Sequence, residues 1–377
     1  MTSEERRERR YQRRKQQREE KKRIQLSQHD QFDWVFSFDH LYRSYRMCRR
    51  GVAWKSSVQK YITLAPLKIS QTQSRLFNET FKSTGFYEFD IMERGKKRHI
   101  RSVTIEERVV QRCLCDYSLV PMLSRTFIFD NSASLQNKGY SFATDRLTRH
   151  LREHYRKYGQ EGYVLLFDFS KFFDNVSHRV VKDILRREFS DKRLLSLTEQ
   201  FIDAFGPVGM GLGSQVSQIL ALASANRLDH YIKEVCHIRG YGRYMDDGYL
   251  IHRDKAYLQK CLDGIRTICD KLNISLNKKK TQIVKLSHGF TFLKIRYYLL
   301  PSGKVIKKLH PRSVTRMRRK LKVFRTMVDT GKMTPKDVYQ SWQSWRAYAS
   351  HFNAYRTIQS VQKLIIQLFS ERSLFYI

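Results

Sequence analysis

The order of apolar patterns along the 377 residues predicts an α+β fold, an antiparallel sheet backed by helices and followed by an all-helical C-terminal region. The first observation is GYVLLFD at 162–168, an apolar run of strand length that begins at a glycine. The second is GRYMDDGYLIH at 242–252, in which Asp-Gly between two apolar pieces is typical of a tight hairpin. The third is the region beyond Pro311, where apolar residues recur only at helical spacing.

The composition indicates a folded protein that binds a polyanion. The hydrophobic fraction of 41% and the aromatic fraction of 13% suffice for the core of two or three domains. Lys and Arg number 72 against 36 Asp and Glu, so nucleic acid is the first expected partner. An anionic membrane surface is the alternative, but the chain shows no long apolar run and no secretory pattern, which predicts a cytoplasmic protein. The six cysteines follow no zinc or disulfide spacing.

The residue patterns of the N-terminal third of the chain predict a charged arm and a hairpin. Residues 2–24 are almost all charged or Gln, which fits either a solvated or disordered basic arm or a helix that folds onto RNA. The globular body begins at Phe32. Residues 81–105 predict a hairpin, whose cations form either a plain solvated turn or a site that neutralises a triphosphate. These cations are Lys96, Lys97, Arg98 and Arg101.

Helices are predicted between and after the strands. Residues 106–123 form one, with a break at Pro121, and a basic helix lies within 134–151. A long helix follows the glycines at 211 and 213 and extends to Glu234, and another spans 255–272. Two strand-like pieces joined by a Gly turn then precede the C-terminal helices, the second of which begins at Thr334-Pro335. Its aromatic stripe favours packing over base stacking.

Three carboxylates are the candidate chemical centre. In an antiparallel layout Asp168, at the end of the first strand, meets Asp246 and Asp247 of the hairpin on a neighbouring strand. Adjacent aspartates repel one another, and oxygen-ligated divalent cations compensate them. Two Mg²⁺ about 3.5–4 Å apart, with Mn²⁺ as the alternative ion, suit in-line phosphoryl transfer. The residues alone therefore predict metal-dependent nucleotidyl transfer on a polyanion.

The YMDD motif, preceded by FDFSKFFDNVSH at 167–178, resembles the palm of a reverse transcriptase. The resemblance covers the chain from about Phe32 to its C-terminus, with several blocks in the family's order. It implies a right-hand polymerase fold with fingers, palm and an all-helical thumb, and RNA-directed DNA polymerase activity. The implied domains are a basic N-terminal helical arm (1–30), fingers with the start of the palm (31–160), the catalytic palm (161–308) and a helical thumb (309–377).

The resemblance also assigns roles to single residues. The metal ligands are Asp168, Asp246, Asp247 and the backbone carbonyl of Phe169. Lys280 of LNKKKT corresponds to the lysine that protonates pyrophosphate, and Phe173 to the bulky residue that screens the nucleotide 2′ position. The residues implied for nucleotide and template binding are Lys97, Arg98, Arg101, Phe173, Ser217, Gln218 and Tyr244, and those of the primer grip are Phe292, Leu293 and Lys294, with Lys where Gly is common.

The block LGSQVSQ at 212–218 points to a subclass. It departs from the QGxxxSP pattern of intron and retroviral relatives and is similar to diversity-generating retroelement reverse transcriptases, which copy RNA with errors opposite adenine. An antiphage-defence or retron-like reverse transcriptase is the alternative, and a non-catalytic RNA-binding scaffold a remote one. The partners implied are an RNA template, a DNA or RNA primer, dNTPs and a small basic accessory protein or structured non-coding RNA.

Overall fold

In a computed structural model the chain forms helices, a two-stranded hairpin, a four-stranded sheet and a three-stranded sheet. The structure describes residues 2–93, 96–211 and 213–369, except for the side chains of residues 22, 25, 26, 93, 96 and 98. No helix of this described part is both long and apolar enough to cross a bilayer. The mixed helical and antiparallel architecture confirms the α+β prediction.

The N-terminal part is helical, with a hairpin after the fifth helix. The helices are α1 (Ser3–His29), α2 (Phe32–Val35), α3 (Phe38–Cys48), α4 (Ser56–Ile62) and α5 (Ala65–Phe77). Strands β1 (Tyr87–Glu93) and β2 (Lys96–Ser102) pair antiparallel, which confirms the predicted hairpin.

The predicted break at Pro121 is wrong. Helix α6 (Ile105–Leu114) continues through a π-helical turn, Cys115–Leu119, into α7 (Val120–Ser124). Pro121 occupies the first turn of α7, where its missing N–H is tolerated, and the wider π-turn precedes it. Helix α8 (Tyr140–Tyr158) follows and begins directly after Gly139, which agrees with the predicted Gly turn, but it extends beyond Leu151.

The central sheet has the strand order β4-β5-β3-β6. Its strands are β3 (Tyr163–Asp168), β4 (Gly240–Tyr244), β5 (Asp247–His252) and β6 (Gln282–Lys285). Along β3, Leu165 and Phe167 join the main core, while Val164 and Leu166 join a second apolar cluster on the other face. Burial on both faces explains why this strand is a continuous apolar run rather than an alternating one.

Helices connect and cover these strands. They are α9 (His178–Glu188), α10 (Lys192–Asp203), α11 (Gln215–Ser224), α12 (Asn226–His230) and α13 (Lys255–Lys271). The single long helix predicted up to Glu234 is wrong, because the helix is interrupted at Ala225 and resumes as α12 and a π-helical turn, Tyr231–Val235. Arg243 hydrogen-bonds the carbonyl of Leu222, which a continuous helix would direct to the N–H of Asn226.

The C-terminal part contains the second sheet and three helices. Strands β7 (Phe290–Phe292), β8 (Ile295–Leu299) and β9 (Val305–Leu309) form a meander. Helices α14 (Pro311–Asp329), α15 (Pro335–Ser350) and α16 (Tyr355–Phe369) pack around an apolar cluster of their own. A capping box between Thr334 and Asp337 starts α15, and Trp342 is buried in the cluster, which confirms the packing role of that aromatic.

Candidate active site

Strand pairing brings the candidate carboxylates together. The buried strand β3 ends at Asp168, whose partner across the antiparallel pair is Asp247, the first residue of β5. Asp246 precedes it in the turn, and its carbonyl oxygen accepts a hydrogen bond from the N–H of Phe169 at 3.1 Å. Asp168 is 3% exposed, so its carboxylate lies at the floor of the site. The three aspartates thus meet at one edge of the central sheet, although 78 positions separate the first two in sequence.

The tip of the hairpin differs from the prediction. Tyr244 pairs with Asp247, so the turn consists of Met245 and Asp246, and the Asp-Gly pair belongs to β5. Met245 has a φ of 57°, the left-handed region that such a two-residue turn requires. Gly248 serves packing instead, because a Cβ atom there would overlap the ring of Phe167.

A buried ion pair lies beneath this turn. Arg243 donates to both carboxylate oxygens of Asp229, at 2.7 Å and 2.6 Å, and both side chains are completely buried. The same guanidinium donates to the carbonyl oxygen of Met245 at 2.7 Å. The hydroxyl of Tyr241 donates to Asp229 at 2.5 Å. Burial tends to lower the pKa of Arg243, but Asp229 raises it overall, so the cation persists.

Lys280 and Asn277 surround Asp168. The ammonium of Lys280 lies 2.5 Å from Oδ2 of Asp168, and the amide of Asn277 donates to Oδ1 at 3.2 Å. The backbone N–H of Asn277 also donates to the Asp168 carbonyl at 2.7 Å. Both residues belong to the LNKKKT block, which therefore lies against the first aspartate. Sequence reasoning does not identify Asn277 as a site residue, because the family resemblance of this block lies in its lysines.

Among the described residues, the three aspartates together carry more negative charge than Lys280 neutralises. Burial, followed by the charges of Asp246 and Asp168, raises the pKa of Asp247 to about 7. Burial is also the largest cause that raises the pKa of Asp246. Partial burial tends to lower the pKa of Lys280, but its hydrogen bond to Asp168 and the neighbouring carboxylates raise it above the ordinary value. Such a site favours an additional cation.

The donor set suits a hard divalent cation, since it consists of carboxylate and carbonyl oxygens. Within the described ranges, no group of three His, Cys, Asp or Glu side chains is arranged so that it could hold a metal ion. Both carboxylate oxygens of Asp168 instead face protein groups, Lys280 and Asn277. A cleft of about 190 Å³ opens between Asp168, Asp247 and Lys280 on one side and Phe292 and Leu293 on the other. These oxygens are chemically suited to a divalent cation, which would have to displace Lys280 from Asp168.

Phe173 lies on the loop that follows Asp168. It begins a short 3₁₀ turn, Phe173–Asn175, and is only partly buried. Its carbonyl accepts the N–H of Met210 at 2.7 Å, which ties this loop to the glycine segment before α11. The backbone of Arg101 on β2 packs closely on the same segment. A Cβ atom added at Gly213 would lie only 3.2 Å from the Arg101 carbonyl oxygen.

The candidate fingers cations are paired with acids of their own hairpin. Lys97 lies 2.9 Å from Asp90, and Arg101 lies 2.9 Å from Glu88. Arg101 also donates to the carbonyl of Phe205 at 3.0 Å. The side chain of Arg98 lies outside the described residues. A triphosphate would have to compete with these carboxylates, a feature that the basic cluster alone did not reveal.

The LGSQVSQ block begins α11. Leu212 lies outside the described residues, while Ser214 caps the helix by accepting the N–H of Ser217. Ser217 is 1% exposed and its hydroxyl has no partner among the described groups. Gln218 is exposed, and its side-chain oxygen accepts a hydrogen bond from Ser134 at 3.0 Å.

The predicted primer-grip residues form the β7–β8 turn. Phe292 is buried, with its ring 5.0 Å from that of Tyr249. Leu293 and Lys294 have φ values of 48° and 65°, so both adopt the left-handed conformation in which glycine is favoured. The hydroxyl of Tyr140 donates to the carbonyl of Leu293 at 3.2 Å. Phe292 and Leu293 line the cleft beside Asp168, whereas Lys294 is not among its lining residues. The role of the three residues as a primer grip stays a prediction.

An antiparallel sheet that presents three aspartates at one edge, between a helical N-terminal part and a C-terminal helical unit, is the arrangement of a right-hand polymerase fold. The family model "Reverse transcriptase (RNA-dependent DNA polymerase)" matches residues 65–297, more than half of the chain. The chain belongs to the reverse transcriptase family, which confirms the resemblance.

Individual relatives are distant. Protein YkfC of Escherichia coli strain K12 is 24% identical over 249 residues, which cover 53% of this chain and 62% of YkfC. Among solved structures, telomerase of Candida albicans in complex with a fragment of telomeric RNA is 12% identical, with a TM-score of 0.49, and 78% of this chain and 61% of that chain are covered. Apo telomerase of Candida tropicalis is 15% identical, with a TM-score of 0.47, and the covered shares are 77% and 63%.

Proposed function

We propose that the chain is an RNA-directed DNA polymerase. The observation that carries this proposal is the cross-strand pair of Asp168 and Asp247, with Asp246 in the adjoining turn. Mg²⁺ ions held by these three carboxylates and the carbonyl of Phe169 would lower the pKa of the attacking primer hydroxyl and neutralise charge on the pyrophosphate. Family membership and the net charge of +36 support nucleic acid as the substrate.

The remaining chemistry is assigned to protein groups. Lys280 is a cationic proton donor beside Asp168, so it can supply a proton to the leaving pyrophosphate once it releases that carboxylate. Phe173, on the loop after Asp168, limits the space beside the nucleotide 2′ position. Arg101 and Lys97 of the β1–β2 hairpin bind the triphosphate after exchanging their carboxylate partners. Tyr244, Phe292, Leu293 and Lys294 position template and primer around the cleft.

Primer extension tests this function. The purified chain, an RNA template with an annealed DNA primer, dNTPs and Mg²⁺ should yield extended DNA, and EDTA should abolish it. Asp168→Asn and Asp246→Asn should each reduce extension below detection, because each removes a metal ligand. Asp174→Asn is the matched control, since Asp174 is an exposed aspartate on the same loop. Full activity of either active-site variant would refute the metal assignment, and an inactive wild type would favour the RNA-binding scaffold.

We further propose that the enzyme is of the diversity-generating retroelement type. Gln218 supports this subclass, because its exposed side chain is anchored by Ser134 at the first turn of α11. Sequencing of extension products should show errors concentrated opposite template adenines, and Gln218→Ala should change that error rate more than Gln259→Ala, an exposed position on α13. Uniform low error would instead support the antiphage-defence or retron-like alternative.

A further inference from the structure

One side of helix α1 carries cations and no acidic residue. At 100° per residue, seven cations fall within an arc of about 140°. They are Arg6, Arg7, Arg10, Arg13, Arg14, Arg18 and Lys21, which we call the α1 basic face. All five glutamates of the helix lie outside this arc, together with its other four Lys and Arg residues, which are Arg9, Lys15, Lys22 and Arg23. A helix that is merely solvated by alternating ion pairs would distribute both signs around its axis.

The α1 basic face borders an open groove along the helix. The groove has a volume of about 910 Å³ and is lined by five of the seven cations, and also by Lys15 and Glu19 from outside the arc. Tyr11 also lines it and is 59% exposed, which leaves its ring accessible beside the cations. The side chains of residues 2–21 are all exposed. No described part of the protein therefore covers this groove.

The C-terminal end of α1 is fixed to the protein body. The imidazole of His29 lies 2.8 Å from the carbonyl of Tyr117, and the hydroxyl of Ser118 donates to the carbonyl of His29 at 2.8 Å. Just beyond the helix, Asp30 accepts hydrogen bonds from the N–H groups of Ser190 and Asp191. A helix of 27 residues is about 40 Å long, so the basic face is held on a long projecting element.

The composition of α1 restricts the partner. Between Ser3 and Ile24, Tyr11 is the only large apolar side chain, so this part of the helix has no apolar stripe for a coiled coil or for insertion into a membrane interface. A row of arginines matches the regularly spaced charges of a phosphate backbone, to which guanidinium groups can bind in a bidentate manner. Charge complementarity thus favours nucleic acid over an apolar partner.

We propose that the α1 basic face is a second RNA-binding surface, outside the catalytic cleft, which holds RNA through its phosphates. Only the choice of RNA over DNA rests on the proposed function. Binding through phosphates carries no sequence preference and depends strongly on salt. The arm thereby retains the RNA while the catalytic cleft acts on the primer end.

Two matched double variants of the full-length chain test this proposal. Arg10→Gln with Arg14→Gln removes two charges from the centre of the α1 basic face. Arg9→Gln with Arg23→Gln removes two charges from outside that arc, at positions that do not line the groove. Glutamine preserves helix propensity, and circular dichroism checks that both variants keep their helicity.

Fluorescence anisotropy with a labelled stem-loop RNA, without dNTPs, gives the readout. The face variant should bind roughly tenfold more weakly at about 0.1 M salt, and its plot of log Kd against log salt should be flatter by about 1.5. The control should change less than half as much. Equal effects of the two variants, or loss of binding to phosphatidylserine vesicles with unchanged RNA affinity, would overturn the proposal. Asp168→Asn should retain this RNA affinity, which separates the proposal from the polymerase assignment.

Discussion

The guanidinium of Arg243 donates a hydrogen bond to the carbonyl oxygen of Met245, 2.7 Å away, and so holds the turn that carries Asp246. Its other hydrogen bonds go to Asp229 and to the carbonyl of Leu222 at the end of α11. One buried side chain therefore links the turn at Met245 and Asp246 to the helix that bears Ser217 and Gln218. Arg243 is a positioning residue, since it acts through backbone carbonyl groups.

Replacing this ion pair by apolar residues separates positioning from stability. Arg243→Met alone leaves the Asp229 carboxylate buried without a cation, with the Tyr241 hydroxyl as its remaining side-chain donor, and about 3–5 kcal/mol of unfolding free energy should be lost. The double variant Arg243→Met/Asp229→Leu should recover most of that stability, because apolar packing often replaces a buried ion pair. Its kcat should nevertheless stay at least tenfold below wild type with little change in KM, since the Met245 carbonyl has lost its donor. Urea unfolding and steady-state extension measure both quantities, and a fully active double variant would contradict the positioning role.

Lys280→Gln removes the ammonium that lies 2.5 Å from Asp168. If this lysine donates a proton to the leaving pyrophosphate, the single-turnover incorporation rate should fall about 100-fold. Lys278→Gln is the control, because Lys278 is an exposed lysine of the same block and does not line the cleft. A similar rate for both variants would exclude the proton-donor role.

Phe173→Ala should relax selection against ribonucleotides. The ring is only partly buried at the loop after Asp168, so truncation opens space without emptying the core. The preference for dNTP over rNTP, measured as a ratio of kcat/KM values, should fall by about 10- to 100-fold. Lys171→Gln changes the same loop at an exposed position and should leave the ratio unaltered. An unchanged ratio in Phe173→Ala would place the selecting group elsewhere.

The stability of the protein should depend on the titration of His150. Burial lowers the pKa of this histidine from 6.5 to about 4, and its Nδ1 lies 3.0 Å from the hydroxyl of Tyr249. Between these two pH values the unfolded chain binds a proton that the folded chain does not, so stability falls as the pH decreases from 6.5 towards 4. The loss attributable to this residue should approach about 3 kcal/mol.

His150→Gln isolates this effect from the carboxylates that titrate in the same range. Urea unfolding of wild type and variant at pH 7, 5.5 and 4.5 should show a steeper loss for the wild type. Parallel curves would mean that His150 is not held neutral in the folded protein.

Much of the candidate site could be predicted because its signals are local. The apolar run that ends at Asp168 and the paired aspartates at 246–247 are short patterns, and antiparallel pairing of their strands places them together. The predicted position of the hairpin tip is wrong, because Asp-Gly is a strong turn signal but here lies within a strand. Gly248 is a glycine for another reason, since the ring of Phe167 on the neighbouring strand leaves no room for a side chain. No local pattern shows that distant contact.

Buried polar partners were also beyond sequence reasoning. Arg243 and Asp229 are two of many charged residues in a basic chain, and nothing in their spacing shows that both are buried. The break at Ala225 depends on the same arginine, because a side chain distant in sequence satisfies the Leu222 carbonyl. Likewise, the sequence does not show which acids of the hairpin pair with its cations. Arg101 lies opposite Glu88 in the register, whereas Lys97 reaches Asp90 diagonally, since its partner in the register is Met92.

The contact of Gly248 with Phe167 has a consequence for the variation that this chain can tolerate. If β5 shifted by one residue along β3, Asp247 or Tyr249 would replace Gly248 opposite Phe167, and either residue brings a side chain where the ring leaves no room. The alignment of Asp247 with Asp168 is thus encoded partly by a position that has no side chain. Mutations at Gly248 should therefore be as rare among active descendants of this enzyme as mutations of the aspartates themselves.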